Sequence, residues 1–204
     1  MPTHLPTIVL AAACIALNIA AGTLVYLLKL PIYLDSAGIM LAAILIPGSR
    51  ANAILGSAIV AVVRFIVFGV LVSPFQPWFI GTGIAGALYG SLVVRGRVTD
   101  LINGTATTRQ FVGKLLLFGI GWGIVAAAVS APVVVYLFGG VTGAGSTLIL
   151  AFLVKAGNQL LKAALLTGFS ADPIDKTLSL LLAIMIARYT PPAFRELLEV
   201  RGLC

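Results

Sequence analysis

Five apolar stretches of this sequence are long enough to cross a lipid bilayer as helices. They lie at about residues 6–28, 51–72, 78–94, 111–137 and 174–190. A helix needs roughly 17–25 such residues to cross the hydrocarbon core of a membrane. Because 60% of the residues are apolar and only 9% are charged, the chain also has too few polar side chains to cover a water-soluble surface. The sequence therefore predicts an all-α integral membrane protein.

Two further apolar stretches have unusual features. The first, residues 34–46, would reach only about 20 Å as a helix, which predicts a short or tilted second span. The second, residues 146–168, carries four polar residues at helical spacing: Lys155, Asn158, Gln159 and Lys162. At this spacing all four lie on one side of a helix, which predicts an extra amphipathic helix before the last span. Such a helix would lie at the membrane interface or line a watery cavity.

The distribution of positive charge predicts the orientation of the chain. If residues 146–168 stay on the outer side, eight basic residues fall in the inner loops and tail: Arg50, Arg95, Arg97, Arg109, Lys114, Arg188, Arg195 and Arg201. Apart from the lysines of that stretch itself, only Lys29 and Lys176 then fall in outer segments. Since cytoplasmic loops are enriched in Lys and Arg, we predict one membrane domain over residues 1–204, with six transmembrane helices and both termini cytoplasmic.

The third span contains an arginine, Arg64, at hydrocarbon depth. A central arginine costs at least about 2.5–3.5 kcal/mol on insertion scales, so its side chain should meet a partner or a hydrated pocket. One interpretation is an ion pair with Asp35, at the head of the second span. The other is an anchor for an anionic or carbonyl-bearing ligand. The two interpretations are compatible, and the sequence leaves both open.

We predict a ligand cavity beneath the outer segments 31–36, 73–78 and 139–146. The candidate binding residues are Arg64, Asp35, Tyr33, Trp78, Asn158, Gln159 and Lys162. For Tyr33 and Trp78 the alternative is anchoring at the membrane interface. With Lys155 of the polar stripe included, three basic side chains, Arg64, Lys155 and Lys162, face one acid, Asp35, so the sequence favours a ligand with negative or carbonyl character.

Other patterns argue against catalysis. His4 is the only histidine, so neither a histidine-based triad nor a multi-histidine metal site can be assembled, and we expect no enzyme activity, metal or cofactor. The glycine pairs Gly86 with Gly90 and Gly119 with Gly123 instead predict close helix packing. Asp172 followed by Pro173 is typical of a helix start.

Three alanines on the first span, Ala12, Ala16 and Ala20, recur every fourth residue. Their spacing predicts a smooth helix face that docks against another helix. The sequence alone leaves open whether that helix belongs to this chain or to another subunit.

The order of these features resembles the substrate-binding S component of energy-coupling factor (ECF) transporters. The resemblance rests on the alanine face, Tyr33 to Gly38 before the short span, Pro47-Gly48 after it, the glycine-rich segment 136–145, and Asp172 to Lys176. It implies a protein of the prokaryotic plasma membrane that captures a small water-soluble micronutrient, a vitamin or its precursor, at the outer side. It also implies a transmembrane coupling subunit, docked on Ala12, Ala16 and Ala20, and two cytoplasmic ATPase subunits that drive import.

A second class of protein shares part of this pattern. The segment around Tyr33 to Gly38 is also similar to membrane sensor modules that precede signalling domains. A ligand-sensing or scaffold module without transport activity is therefore the alternative. Copurification with ATPases would distinguish the two.

Overall fold

The computed structural model describes residues 5–191 and Phe194. Eight α-helices follow one another along these residues: α1 (Leu5–Leu27), α2 (Ala37–Leu45), α3 (Arg50–Leu71), α4 (Ile80–Tyr89), α5 (Thr99–Asn103), α6 (Thr108–Tyr136), α7 (Ser146–Lys155) and α8 (Leu160–Tyr189). A 3₁₀ turn, Gln76–Phe79, precedes α4, and a π-helical turn, Gly90–Val94, extends it. The described part of the chain contains no strand, which confirms the all-α prediction.

Within the described residues, four helical segments are long and apolar enough to span a membrane, as expected of a multi-pass membrane protein. They are Leu5–Leu27, Arg50–Leu71, Gln76–Val94 and Thr108–Tyr136. The helix α8 is longer than any of these but carries charged residues along its length, from Lys162 to Arg188. The total of six spans stays a prediction.

The stretch predicted to form a short second span contains the helix α2, which lies in the middle of the bundle. All nine of its residues are buried, and it contacts α1, α3, α4 and α8. Gly38 permits the closest approach, because a Cβ there would overlap the carbonyl oxygen of Cys14 in α1. The Asn18 side-chain oxygen accepts a hydrogen bond of 2.6 Å from the Gly38 amide. At about 1.5 Å per residue, α2 is far shorter than a bilayer is thick.

Glycines set the distance between the two longest helices, α6 and α8. A Cβ at Gly119 would overlap Thr177, and one at Gly123 would overlap the backbone of Pro173. Gly86 lies against Trp122 in the same way, and Gly90 lies against Met40 and Ala43. The close packing predicted for these two glycine pairs is confirmed.

The amphipathic helix predicted over residues 146–168 is wrong. The helix α7 ends at Lys155, and α8 begins at Leu160. Gly157 causes the break because its φ of +91° is left-handed, a conformation typical of helix ends. The Asn158 side chain then donates a 3.0 Å hydrogen bond to the Leu153 carbonyl. The four polar residues therefore do not form one helical stripe.

The predicted helix start at Asp172 is also wrong. Asp172 and Pro173 lie inside α8, which continues from Leu160 to Tyr189. A proline inside a helix removes one backbone hydrogen bond and is usually unfavourable. Here Pro173 packs directly against Gly123 of α6, so tertiary packing along α6 stabilises the uninterrupted helix.

Candidate functional site

One cavity of about 70 Å³ lies beneath three loops at one end of the bundle. The loops are the three segments expected to cover a ligand, and each contributes to the lining. Tyr33, Asp35 and Ser36 come from the first loop, Gln76 from the second, and Thr142 and Ala144 from the third. The helices supply the remaining lining residues: Ile39, Phe65, Phe79, Thr82, Gly83, Trp122, Ala126, Ser130, Val134, Asp172 and Lys176.

The first loop is held in place by the carboxylate of Asp175. Asp175 Oδ1 accepts hydrogen bonds from the Tyr33 amide at 2.8 Å and from the Leu34 amide at 2.7 Å. Leu34 has a φ of +45°, a left-handed conformation that costs a branched residue of order 1–3 kcal/mol. The two hydrogen bonds to a fully buried carboxylate offset this strain. The Tyr33 ring is thereby fixed at the cavity, with its hydroxyl bonded to Ser146.

The third loop depends on its glycines, as the sequence indicates. Gly139, Gly140 and Gly143 all have positive φ, which glycine adopts without strain. The Lys29 ammonium donates to the Gly143 carbonyl at 3.2 Å, which ties the first loop to the third. Phe138 packs edge-on against Phe75 with ring centroids 5.0 Å apart, which ties the second loop to the third. The three loops therefore form one cover over the cavity.

A lysine and two aspartates form the centre of the charged cluster. The Lys176 ammonium donates to Asp175 Oδ2 at 2.6 Å, to Ser36 Oγ at 2.9 Å and to Asp35 Oδ1 at 3.4 Å. An ammonium group has three donors, so these contacts use all of them. Lys176 thus connects α8 to the loop before α2, and none of its donors is left for an anion in the cavity.

Arg64 is the partner of Asp35 that one interpretation of the sequence proposes. Its Nη2 donates to Asp35 Oδ2 at 2.9 Å, and its Nη1 donates to Gln76 Oε1 at 2.9 Å. The guanidinium carbon lies 4.1 Å from the ring centroid of Phe65 and 4.7 Å from that of Phe68. Arg64 is fully buried and does not line the cavity. Its geometry fixes Asp35 and Gln76, which do line it.

Aromatic side chains form the apolar wall of the cavity. Trp122 of α6, Phe65 of α3 and Phe79 before α4 contribute to it, and Trp122 is almost fully buried. The Lys176 ammonium lies 5.4 Å from the Trp122 ring centroid. Flat apolar walls with a few fixed polar groups are typical of small-molecule sites. The arrangement can hold a planar ring beside a polar substituent.

Four of the residues predicted to bind a ligand lie elsewhere. Trp78 is 60% exposed and is not part of the lining, which is compatible with interfacial anchoring. Gln159 and Lys162 are exposed, and Asn158 is bonded to its own helix end. The structure brings together Tyr33, Asp35 and, behind them, Arg64.

Sequence reasoning missed the acidic and basic residues of α8. The sequence pattern predicts a helix start at Asp172 and assigns Lys176 to an outer segment, although both residues and Asp175 are buried beside the cavity. A usable signal was present, because ionisable residues inside an apolar helix are expensive and commonly functional. Trp122 and Ser130 carried no such signal, since apolar helices commonly contain both.

The alanine face of α1 points away from the other described helices. Ala12, Ala16 and Ala20 are exposed, together with Leu24. The helix packs inward through its opposite face: Leu10, Cys14, Asn18, Gly22 and Val25. Packing within the described part of this chain therefore does not explain the alanine spacing.

Comparison with known protein families, characterised proteins and solved structures finds no match to this chain.

Proposed function

We propose that this protein is the substrate-specific S component of an ATP-driven, ECF-type importer. It binds a small water-soluble micronutrient, a vitamin or a precursor, and delivers it inward. The observation that carries the proposal is the cavity beneath the three loops, with aromatic walls and a buried charged cluster. A protein that only scaffolds other subunits has no need of such a cavity.

The exposed alanine face supports docking on a second membrane subunit. Small side chains let helix backbones approach closely, and dispersion contacts then stabilise the pair in lipid. Ala12, Ala16 and Ala20 lie on the outward side of α1, where such a helix has access. We assign this face to the transmembrane coupling subunit, which also binds two cytoplasmic ATPase subunits.

The ends of the bundle support the proposed orientation in a prokaryotic plasma membrane. Arg95 donates to the carbonyls of Ile46 and Gly48, and Lys114 pairs with Asp100, so two basic side chains lie at the end opposite the cavity. Cytoplasmic segments are enriched in basic residues. We therefore place the cavity on the outer side and both termini in the cytoplasm. Arg195 and Arg201, which entered the charge count, lie outside the described residues.

The direct test of the function is to identify what copurifies with the protein. We expect native mass spectrometry of the purified protein to show a retained small molecule, and affinity purification from its native membrane to recover ATP-hydrolysing subunits. A retained molecule without ATPases would favour the sensor alternative. Recovery of neither would contradict the proposal.

Replacing Ala16 by leucine should separate docking from binding. The larger side chain would hold the coupling subunit away from α1, so recovery of that subunit and uptake should both fall strongly, while the cavity is unaffected. The matched control is Ala128→Leu, since Ala128 is an exposed alanine in the middle of α6. If both variants recover the coupling subunit equally well, the alanine face is not a docking surface and contacts only lipid.

Cysteine labelling tests the orientation. In a background lacking Cys14 and Cys204, a cysteine at Val141 should react with an impermeant thiol reagent added to whole cells, and a cysteine at Thr105 should not. Both positions are exposed, Val141 in the third cavity loop and Thr105 in the loop between α5 and α6. Labelling in the reverse pattern would invert the topology.

A further inference from the structure

One carboxylate at the cavity accepts no hydrogen bond from any residue that the structure describes. Asp172 is 5% exposed, and it lines both the main cavity and a smaller one that adjoins it. In the part of the chain that the structure describes, no hydrogen bond or ion pair reaches its carboxylate. Buried carboxylates are normally paired, because removing a charge from water is costly. Asp172 is therefore positioned for a group that the described residues do not supply.

The neighbouring cations are already used by other acids. Lys176 lies one helical turn after Asp172 on α8, but its three donors point to Asp175, Ser36 and Asp35. Arg64 is bonded to Asp35 and Gln76 behind the lining. With every group ionised, three carboxylates face two cations, so the cluster has a formal charge of −1. An anion entering the cavity would meet this negative excess.

We infer that Asp172 binds a cationic nitrogen of the ligand, a protonated amine or amidinium carried by a planar ring. The carboxylate would accept a charge-assisted hydrogen bond, which is stronger than a neutral one. Trp122 and Phe79 line the same cavity and supply aromatic surface for such a ring. The Thr82 hydroxyl is a buried polar atom without a partner in the described residues, and it supplies a second polar contact on the α4 side of the cavity.

This inference reverses the ligand character expected from the sequence. That expectation counted lysines of α7 and α8 as facing inward, whereas Lys155 and Lys162 are exposed. It also left out the acids Asp172 and Asp175, which lie at the site. The inference deepens the proposed function by naming the substrate class, and it rests on that function only in taking the cavity as the ligand site.

Three probes of similar shape and different charge test the inference: benzylammonium, benzyl alcohol and benzoate. Isothermal titration calorimetry on the purified full chain should give benzylammonium the highest affinity, about tenfold or more above benzoate. In Asp172→Asn, which keeps the size of the side chain, the benzylammonium affinity should fall by about tenfold or more. Benzyl alcohol should bind both proteins with similar affinity. The control Asp100→Asn removes a carboxylate far from the cavity and should behave as wild type.

Three results would overturn the inference. They are benzoate binding at least as tightly as benzylammonium, an unchanged preference in a folded Asp172→Asn protein, and the absence of saturable benzylammonium binding. The proposed function fails separately, because it depends on copurification of ATPase subunits. If the protein prefers benzylammonium but no ATPase subunits copurify with it, the role of Asp172 is supported and the importer function is contradicted.

Discussion

Replacing Lys176 by methionine is expected to lower the free energy of unfolding by about 3–5 kcal/mol, the range measured when one partner of a buried ion pair is removed. The substitution leaves Asp35 and Asp175 without the ammonium that lies 3.4 Å and 2.6 Å from their oxygens. Asp175 also holds the amides of Tyr33 and Leu34, so the loop over the cavity should loosen. Thermal unfolding in detergent, followed by circular dichroism, measures the loss.

Lys162→Met is the matched control for this substitution. It removes the same side chain from the same helix at an exposed position and should leave the unfolding temperature nearly unchanged. Asp35 keeps its ion pair with Arg64, so the double variant Asp175→Asn with Lys176→Met removes the one carboxylate that loses its cation and should recover part of the loss. Equal unfolding temperatures for Lys176→Met and Lys162→Met would contradict the central place given to Lys176.

Replacing Gly123 by alanine is expected to destabilise the protein by about 1–3 kcal/mol, the usual cost of overfilling a packed core. The added Cβ would overlap backbone atoms of Asp172 and Pro173. Backbone atoms cannot rotate away as the tip of a side chain can, so α6 and α8 must separate. Because Asp172 lies at this contact, affinity for the benzylammonium probe should fall as well.

Gly113→Ala is the control, because it adds an alanine to the same helix at a position that does not face the backbone of α8. Apart from the adjacent residues and the backbone of α6 itself, no atom of the described residues lies within 4 Å of a Cβ at Gly113. This variant should therefore be neutral or slightly more stable, since alanine favours helices. A Gly123→Ala protein as stable as Gly113→Ala would show that α6 and α8 can separate at little cost. The two variants are compared by the same thermal unfolding measurement.

Some features of the candidate site could be predicted from local sequence patterns, and others depend on tertiary structure. An ion pair between Asp35 and Arg64 is one of the two interpretations that the sequence leaves open, because an arginine is costly alone at membrane depth, and the two side chains pair at 2.9 Å. The three cavity loops were predicted from their glycines and aromatic residues, and they do meet. The helix over 146–168 failed because a hydrophobic pattern outweighed the local stop signal of Gly157. The helix start predicted at Asp172 is wrong because proline is common in the first turn of a helix, whereas here packing against α6 stabilises a helix that continues past Pro173.

The sequence by itself determined that the chain is helical and apolar, and that spaced glycines bring its helices close. These properties follow from composition and spacing, which act over a few residues. Only the tertiary structure decided that α2 is enclosed by its neighbours, that the alanine face of α1 points outward, and that Lys176 bonds to Asp35 and not to a ligand. Each depends on residues far apart in the chain: Lys176 and Asp35, for example, are separated by 141 positions. Periodicity along one helix carries no information about such pairs, because the choice of partner depends on how the whole bundle packs.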